Sequence, residues 1–300
     1  MDLTFFVQQF FNALQLGSLY ALIALGYTMV YGVLLLINFA HGDIFMVGAF
    51  LGVFGAMVLG LPFIPTLIMA MVLTGLLGVT IERVAYKPLR EASRLSAVIT
   101  ALGVGLLLEN GMLALTGADP RSYPQAFITT KIYDFGGVSI SNVKIIIIVL
   151  AFLLFFGLYT IVQRTKWGMA MRAISYDKFA VPLMGVSQDQ IISMTFLLGT
   201  GLAAAGGILW GVAFPVLNPY MGLRVGWKAF IAAVVGGIGD IRGAMAGGLL
   251  LGFIEIFVPA YGDDFGISST WRDPIAFGLL LLILVVRPTG LFGVARRQKV

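Results

Sequence analysis

Residues 145–162 read IIIIVLAFLLFFGLYTIV, an uncharged apolar run between Lys144 and Arg164. A helix needs about 20 apolar residues to cross a bilayer, so this run predicts a membrane-spanning helix. The whole chain of 300 residues has the same character, with 59% hydrophobic and only 11% charged residues, whereas soluble domains carry about 25% charged residues. The composition predicts an integral membrane protein of roughly eight or nine spans. It excludes a soluble enzyme, a nucleic-acid reader and a disordered chain.

The residue types narrow the chemistry further. The chain has no cysteine and a single histidine, His41, which excludes disulfides, thiolate nucleophiles, iron–sulfur clusters and zinc or other metal sites built from several such ligands. Thirty-eight glycines exceed the usual share of about 7%, as expected where membrane helices pack closely. We expect neither a metal nor a cofactor in this chain.

The basic residues predict the orientation in the membrane. None precedes Arg83, and twelve of the nineteen then fall in three clusters. These are Arg83, Lys87, Arg90 and Arg94; Arg164, Lys166, Arg172 and Lys178; and Arg287, Arg296, Arg297 and Lys299. Basic residues favour cytoplasmic connections, so we expect all three clusters in the cytoplasm. The mixed connection 117–143 and the acidic connection 261–273, with Asp263, Asp264 and Asp273, are then expected outside.

The apolar segments between these connections predict the architecture. Nine segments are found near 10–37, 42–60, 64–85, 95–116, 144–163, 190–214, 226–238, 243–260 and 274–287. Nine crossings place the N-terminus outside and the C-terminus inside. Two segments are short and the first is long, which favours broken or re-entrant helices that line a cavity. We predict an all-α polytopic bundle of about eight to ten spans, forming one transmembrane domain over residues 1–300.

A polar break interrupts the apolar pattern at Ile37–Ile44. It contains Asn38, His41, Gly42 and Asp43 between two apolar segments, which predicts the end of one helix and the start of another at about Asp43. Transporter sites are often built from such discontinuous helices, so these four residues are candidates for a translocation path. The alternative is an ordinary turn at the cytoplasmic surface, with His41 as a hydrogen-bonded packing residue.

A second unusual stretch is the glycine-rich run that begins at Val235. It lacks the Lys-Ser or Lys-Thr of a phosphate loop, and no strand precedes it. Gly237, Gly239 and Asp240 are further candidates for the translocation path. Helical spacing predicts close packing against a neighbouring helix for the glycines that follow: Gly243, Gly247, Gly248 and Gly252.

Two carboxylates, Glu109 and Glu255, lie within apolar segments. An unpaired charge there is expensive and usually faces the interior of the bundle. Either residue could bind a cationic group, carry a proton or be paired within the protein, and Asn110 supplies a neighbour for Glu109. A structural role is the favoured interpretation for both.

The connection from Arg164 to Gln190 combines charge with an apolar side. The apolar residues are Trp167, Met169, Met171, Ile174, Phe179, Val181, Leu183 and Met184. This pattern predicts a short amphipathic helix that lies at the membrane interface or docks in a partner's groove. A helix that serves only as a basic topology anchor is the alternative.

Taken together, these residues resemble the LivH-type permeases, the membrane subunits of ABC importers for branched-chain amino acids. Three motifs carry the resemblance, in order and over essentially the whole chain. They are Tyr31–Val33 and Ile37–Asp43 with Met46, Gly48 and Ala49; Gly168–Ala173 with Ala180, Gly185 and Val186; and Val235–Gly239 with Gly243–Met245, Gly247, Gly248, Gly252 and Glu255. The first motif is fairly specific, whereas the glycine run is shared with sugar-importer permeases.

The resemblance implies a division of labour. This chain would form half of a translocation pathway in the bacterial inner membrane beside a second, homologous permease of the LivM type. Two cytoplasmic ATPase subunits, which bind ATP and Mg, would drive alternating access, and a periplasmic binding protein would deliver substrate. The chain has no G-x-x-x-x-G-K-[ST] motif, so it is not expected to be an enzyme. The coupling helix would lie within 164–190, with these ATPase-coupling candidates: Gly168, Arg172, Ala173, Ala180 and Gly185.

Other classes remain open from the sequence. A secondary transporter could use Asp43, Glu109 or Glu255 for proton coupling, and a channel could use the glycine-rich packing to form a narrow pore. Within the importer class, urea and short amides are alternative cargoes. Related urea permeases tend to carry an added extracellular part that this chain lacks, which favours amino acids.

Overall fold

The computed structural model describes residues 3–90, 92–124, 127–262, 266 and 268–293. Eleven α-helices lie in these ranges: α1 (Leu3–Leu34), α2 (His41–Met57), α3 (Phe63–Ile81), α4 (Arg94–Thr116), α5 (Asn142–Arg164), α6 (Lys166–Tyr176), α7 (Ala180–Leu183), α8 (Gln188–Ala213), α9 (Met221–Gly237), α10 (Ile241–Gly262) and α11 (Arg272–Val286). Five charged residues used to predict the topology lie outside the described residues: Asp263, Asp264, Arg296, Arg297 and Lys299. The side chain of Arg94 is also outside the description.

Each of the nine predicted apolar segments coincides with one of these helices, and the predicted all-α membrane bundle is confirmed. Seven helices of the described chain are long and apolar enough to cross a membrane. The helices α2 and α9 have 17 residues each, about 26 Å in length against a hydrocarbon core of about 30 Å. The predicted segment 226–238 starts too late, because α9 already begins at Met221.

The bundle is built around α1 and α8. In the most apolar windows of these helices 89% and 83% of residues are buried, against 11% in α4 and in α11. The helices α2, α9 and α10 pack around this centre. The peripheral helices α4 and α11 therefore present most of their apolar side chains outward, as expected for surfaces that face lipid or another membrane subunit.

Glycines on α10 set its distance from two different neighbours. Gly243 and Gly247 lie against the backbone of α9, and Gly248 and Gly252 lie against Ala21 and Gly17 of α1. A Cβ atom at any of the four α10 glycines would collide with backbone atoms. Gly239 precedes α10, with φ of +100°, so it is not part of the helical face formed by the α10 glycines.

The connection 117–143 contains structure that the sequence analysis does not predict. Strands β1 (Ile132–Phe135) and β2 (Val138–Ser141) form an antiparallel hairpin. Nearer α4, the backbone of Arg121 pairs with that of Leu217, with N–O distances of 2.9 and 2.8 Å. The connection 117–143 and the segment between α8 and α9 therefore meet at one end of the bundle.

Candidate functional site

The polar break predicted between α1 and α2 is present and tightly organised. The helix α1 ends at Leu34, Leu35 takes a positive φ of 56°, and α2 begins at His41. The start lies two residues before the predicted one, and Ala40 rather than Asn or Asp is the N-cap. Asn38 supports the turn instead, since its Oδ1 accepts hydrogen bonds from Ala40 N at 3.1 Å and from the Tyr86 hydroxyl at 2.7 Å.

The start of α2 is recessed from the end of α1. The His41 ring is fully buried beside Gly26 and lies 4.5 Å from the Tyr27 ring. Gly26 precedes Leu34 by eight residues, which is about 12 Å along a helix. Asn38, His41 and Asp43 are all buried, so the break enters the interior of the bundle and is not an exposed turn.

A cavity of about 310 Å³, called here the Asp43 cavity, lies beside the first turn of α2. It is lined by Tyr27, Phe39, Gly42, Asp43, Leu102, Gly105, Leu106, Glu109, Gly222, Leu223, Gly226, Trp227 and Phe230. The helices α2 and α9 are in close contact at this cavity. A Cβ atom at Gly226 of α9 would lie only 2.7 Å from Gly42 Cα of α2. Glycine at these positions lets α9 approach the start of α2 and closes one side of the cavity.

Two carboxylates and an aromatic wall face this cavity. Asp43 is only 6% exposed, and its Oδ1 has no hydrogen-bond partner among the described residues. Glu109 of α4, half-buried, lines the same space. The aromatic wall is formed by rings whose centroids lie 5.5 to 5.6 Å apart: Tyr27, Phe39, Trp227 and Phe230. Asn110, the neighbour predicted for Glu109, makes a hydrogen bond to its own helix instead: its Nδ2 donates to Leu106 O at 2.8 Å.

The structure does not bring the other path candidates to the Asp43 cavity. Asp240 caps α10, with its Oδ1 accepting from Gly243 N at 2.9 Å. Gly237, at φ +108°, packs against Gly293. Gly239 lines a smaller cavity of about 80 Å³ together with Arg172. Asn38 and His41 are buried next to the first turn of α2 without lining the Asp43 cavity.

A charged network that the sequence does not predict joins the end of α3 to the start of α8. The helix α3 ends in a π-helical turn, Glu82–Tyr86. Arg90 pairs with the buried Glu82 and also with Asp189, 2.5 Å away, in the first turn of α8. Ser193 of α8 donates to Glu82 at 2.8 Å. From the sequence, the basic cluster 83–94 predicts only the topology, although the neighbouring Glu82 indicates a partner for one of its charges.

This network reaches the helix break through Tyr86. The Tyr86 hydroxyl belongs to the same π-helical turn as Glu82 and donates to Asn38, two residues before the N-cap of α2. The π-helical turn therefore links the charged network at the start of α8 to the polar contact near the start of α2.

The connection 164–190 contains the short amphipathic helix expected, α6, followed by a second helix of one turn, α7. Thr165 caps α6 by accepting from Gly168 N at 3.2 Å, and the Arg172 guanidinium donates to Val162 O. Ala173, Ala180 and Gly185 are exposed. The apolar residues divide into two groups: Met171, Ile174 and Val181 are buried, whereas Trp167, Met169, Tyr176, Phe179, Leu183 and Met184 are exposed.

The second predicted carboxylate, Glu255, is paired within the protein. Its Oε1 lies 2.7 Å from Lys228 Nζ, and its Oε2 accepts a hydrogen bond from the Tyr20 hydroxyl at 3.1 Å. Lys228 also contacts Asp273 at 2.9 Å. Nothing in the sequence marks Lys228 as a partner, because it lies near the end of an expected span, where lysines are common.

Known proteins match this chain over nearly its full length. The family described as "Branched-chain amino acid transport system / permease component" matches residues 9–285. The high-affinity branched-chain amino acid transport system permease protein BraD of Pseudomonas aeruginosa is 41% identical, over 98% of both chains. The corresponding permease protein LivH of Escherichia coli K12 is 38% identical over 99% of this chain and 98% of its own.

A more distant relative also matches over most of its length. The probable branched-chain amino acid transport permease protein LivH of Methanocaldococcus jannaschii is 27% identical over 94% of this chain and 91% of its own. The matches confirm the resemblance drawn from the three motifs. The chain belongs to the permease component family of branched-chain amino acid transport systems.

Proposed function

We propose that this chain is the membrane permease subunit of an ATP-driven importer for branched-chain or related hydrophobic amino acids in a bacterial inner membrane. The names of its relatives support this substrate class, because the similarity covers 98% of this chain and of BraD. The chain itself binds no cofactor and is not an enzyme. ATP and Mg are bound, and ATP is hydrolysed, by separate ATPase subunits.

The observation that carries the proposal is the recessed start of α2 beside the Asp43 cavity. A broken helix places backbone N–H groups and a carboxylate inside the bundle, where a polar cargo crossing a membrane needs partners. Alternating access then consists of opening this region first to one side of the membrane and then to the other. The chain supplies half of the pathway, and a second, homologous permease of the LivM type supplies the other half.

The connection 164–190 supports the role given to the ATPase subunits. The exposed residues of α6, α7 and the following turn form an apolar surface on an otherwise charged segment, and such surfaces are typical of protein interfaces. We assign ATPase coupling to this segment, including Ala173, Ala180 and Gly185. The Glu82–Tyr86 turn, which contacts α8 on one side and Asn38 on the other, then connects that interface to the helix break. We further propose that α6 and the C-terminus lie in the cytoplasm and the N-terminus outside, as the basic clusters predict.

The experiment is reconstitution in proteoliposomes of this chain with a LivM-type permease, two ATPase subunits and a periplasmic binding protein. Uptake of labelled leucine that requires ATP is expected, and labelled urea should not accumulate. Uptake of urea in place of leucine would overturn the substrate class. Leucine uptake that needs no ATP and is abolished by a protonophore would overturn the ATP-driven mechanism in favour of a secondary transporter.

A further inference from the structure

We propose that the Asp43 cavity, within the pathway of the proposed function, binds the ammonium group of the amino acid between Asp43 and Glu109. The hydrocarbon side chain of the cargo would lie against the aromatic wall. The site thus selects one end of a zwitterionic substrate. The chemical class of the ligand is therefore a small primary ammonium compound with an apolar side chain.

The position of the Asp43 carboxylate is the first support. The side chain is more than nine-tenths buried and lies between α4 and α9, where both neighbours are glycines. A Cβ at Gly105 would fall 2.5 Å from Asp43 Oδ2, and one at Gly222 would fall 2.7 Å from Oδ1. Glycine at these two positions therefore makes room for the carboxylate, and the first turn of a helix favours its negative charge.

The second support is the charge of the cavity. Glu109 brings a second carboxylate to the same space, and two like charges in a poorly hydrated site disfavour each other. No lysine or arginine is among the described residues that line the cavity. A buried charge is stable only when it is paired, so a cation held between the two carboxylates would relieve both penalties.

The lining and size of the Asp43 cavity favour an organic ammonium group over a metal cation. A calcium ion takes six to eight oxygen ligands, whereas two side-chain carboxylates are available here, and the rest of the described lining is mainly apolar and aromatic. Aromatic faces attract organic ammonium groups and also accommodate hydrocarbon. The volume of about 310 Å³ is at the small end of the range for small-molecule sites, about 300–1000 Å³. The cavity therefore suits a single amino acid.

The test separates the two ends of leucine, using the purified full-length chain in lipid nanodiscs. A hydrophobic carbodiimide modifies Asp43 and Glu109, and mass spectrometry of their peptides measures the loss of each free carboxyl group, as acylurea or as amide with an amine probe. The rate is taken relative to that of the exposed Asp119, which corrects for reagent consumed by the carboxylates of the probes. Leucine and isopentylamine, which keeps the ammonium but lacks the carboxylate, should slow modification by about tenfold at saturation. The probe 4-methylpentanoate, which keeps only the carboxylate, should not. Equal protection by isopentylamine and 4-methylpentanoate, or protection by neither, would overturn the cation site.

Transport by the reconstituted complex supplies a second measurement. Asp43→Asn and Glu109→Gln preserve size and remove charge, and each should lower leucine uptake about 10- to 100-fold, the effect of losing one hydrogen bond to a charged group. Asp119→Asn, an exposed carboxylate outside the apolar segments, is the matched control and should transport normally. Normal uptake by both cavity variants would overturn the site. Failure of the wild-type complex to transport leucine would instead overturn the proposed function, and the carbodiimide result would still decide the cation site.

Discussion

Lys228 and Glu255 show how this bundle accommodates buried charge. Their side chains are 7% and 3% exposed, and Lys228 meets two carboxylates while Glu255 also accepts from Tyr20. A buried ion pair is tolerated when each charge has such partners. Asp43 and Glu109 have no cation beside them among the described lining residues. That difference separates a structural ion pair from a candidate binding site.

Lys228→Met should destabilise the protein strongly, because it leaves Glu255 buried without its cation. Breaking a buried pair from one side costs about 3–5 kcal/mol, so the unfolding temperature of the purified chain in detergent should fall by several degrees. The double variant Lys228→Met, Glu255→Met removes both charges and should recover most of the loss. Unfolding of the single variant at the wild-type temperature would contradict a structural role for the pair.

At the level of residues, the sequence reveals which groups are unusual but not which of them meet. Asp43, Glu109 and Glu255 stand out because a carboxylate in an apolar segment is costly. Asp43 and Glu109 line the same cavity because of the way α2, α4 and α9 pack. The sequence around each residue does not specify this packing. The pairing of Glu255 with Lys228 is hidden for the same reason, since the two are 27 positions apart on different helices.

At the level of elements, long apolar runs suffice to predict helices, and the errors occur where charge or polarity is compensated by distant contacts. The predicted segment 226–238 starts five residues after α9 does, because Arg224 interrupts the apolar pattern in the first turns of the helix. The hairpin of β1 and β2 lies in a polar connection whose four-residue strands are too short for a clear alternating pattern.

The π-helical turn after α3 is the element that connects the α8 network to the helix break. Such turns are single-turn widenings of an α-helix and often occur at functional positions. Here the turn places Glu82 toward α8 and Tyr86 toward Asn38. A movement of the start of α8 would thus be transmitted to the start of α2 through one short segment.

Tyr86→Phe should weaken this connection without emptying the space that the ring occupies. The variant removes only the hydroxyl that donates to Asn38, a contact worth about 1 kcal/mol, so leucine transported per ATP hydrolysed should fall about fivefold while ATPase activity persists. Tyr133→Phe, on the exposed strand β1, is the matched control. An unchanged ratio of transport to hydrolysis in Tyr86→Phe would show that the contact has no part in coupling.

At the level of the whole molecule, the two ends have different surfaces. One end carries α6, α7 and the Lys87–Arg90–Asp189 cluster, while the other carries the hairpin and the paired segments at Arg121 and Leu217. The Asp43 cavity lies between them, beside a helix that starts about 12 Å inside the end of α1. A conformational change that reaches the start of α2 would therefore alter the wall of the cavity.

Leu183→Glu should impair assembly with the ATPase subunits without impairing folding of the chain. Leu183 is 87% exposed at the end of α7, so a charge there costs the isolated chain little, whereas at an apolar interface it would be desolvated without a partner. We expect normal membrane insertion and thermal stability of the purified chain, but loss of the ATPase subunits during co-purification and of ATP-dependent leucine uptake. Ile132→Glu makes the same change on exposed β1 at the opposite end and should retain both. Retention of the ATPase subunits and full uptake by Leu183→Glu would place the docking surface elsewhere.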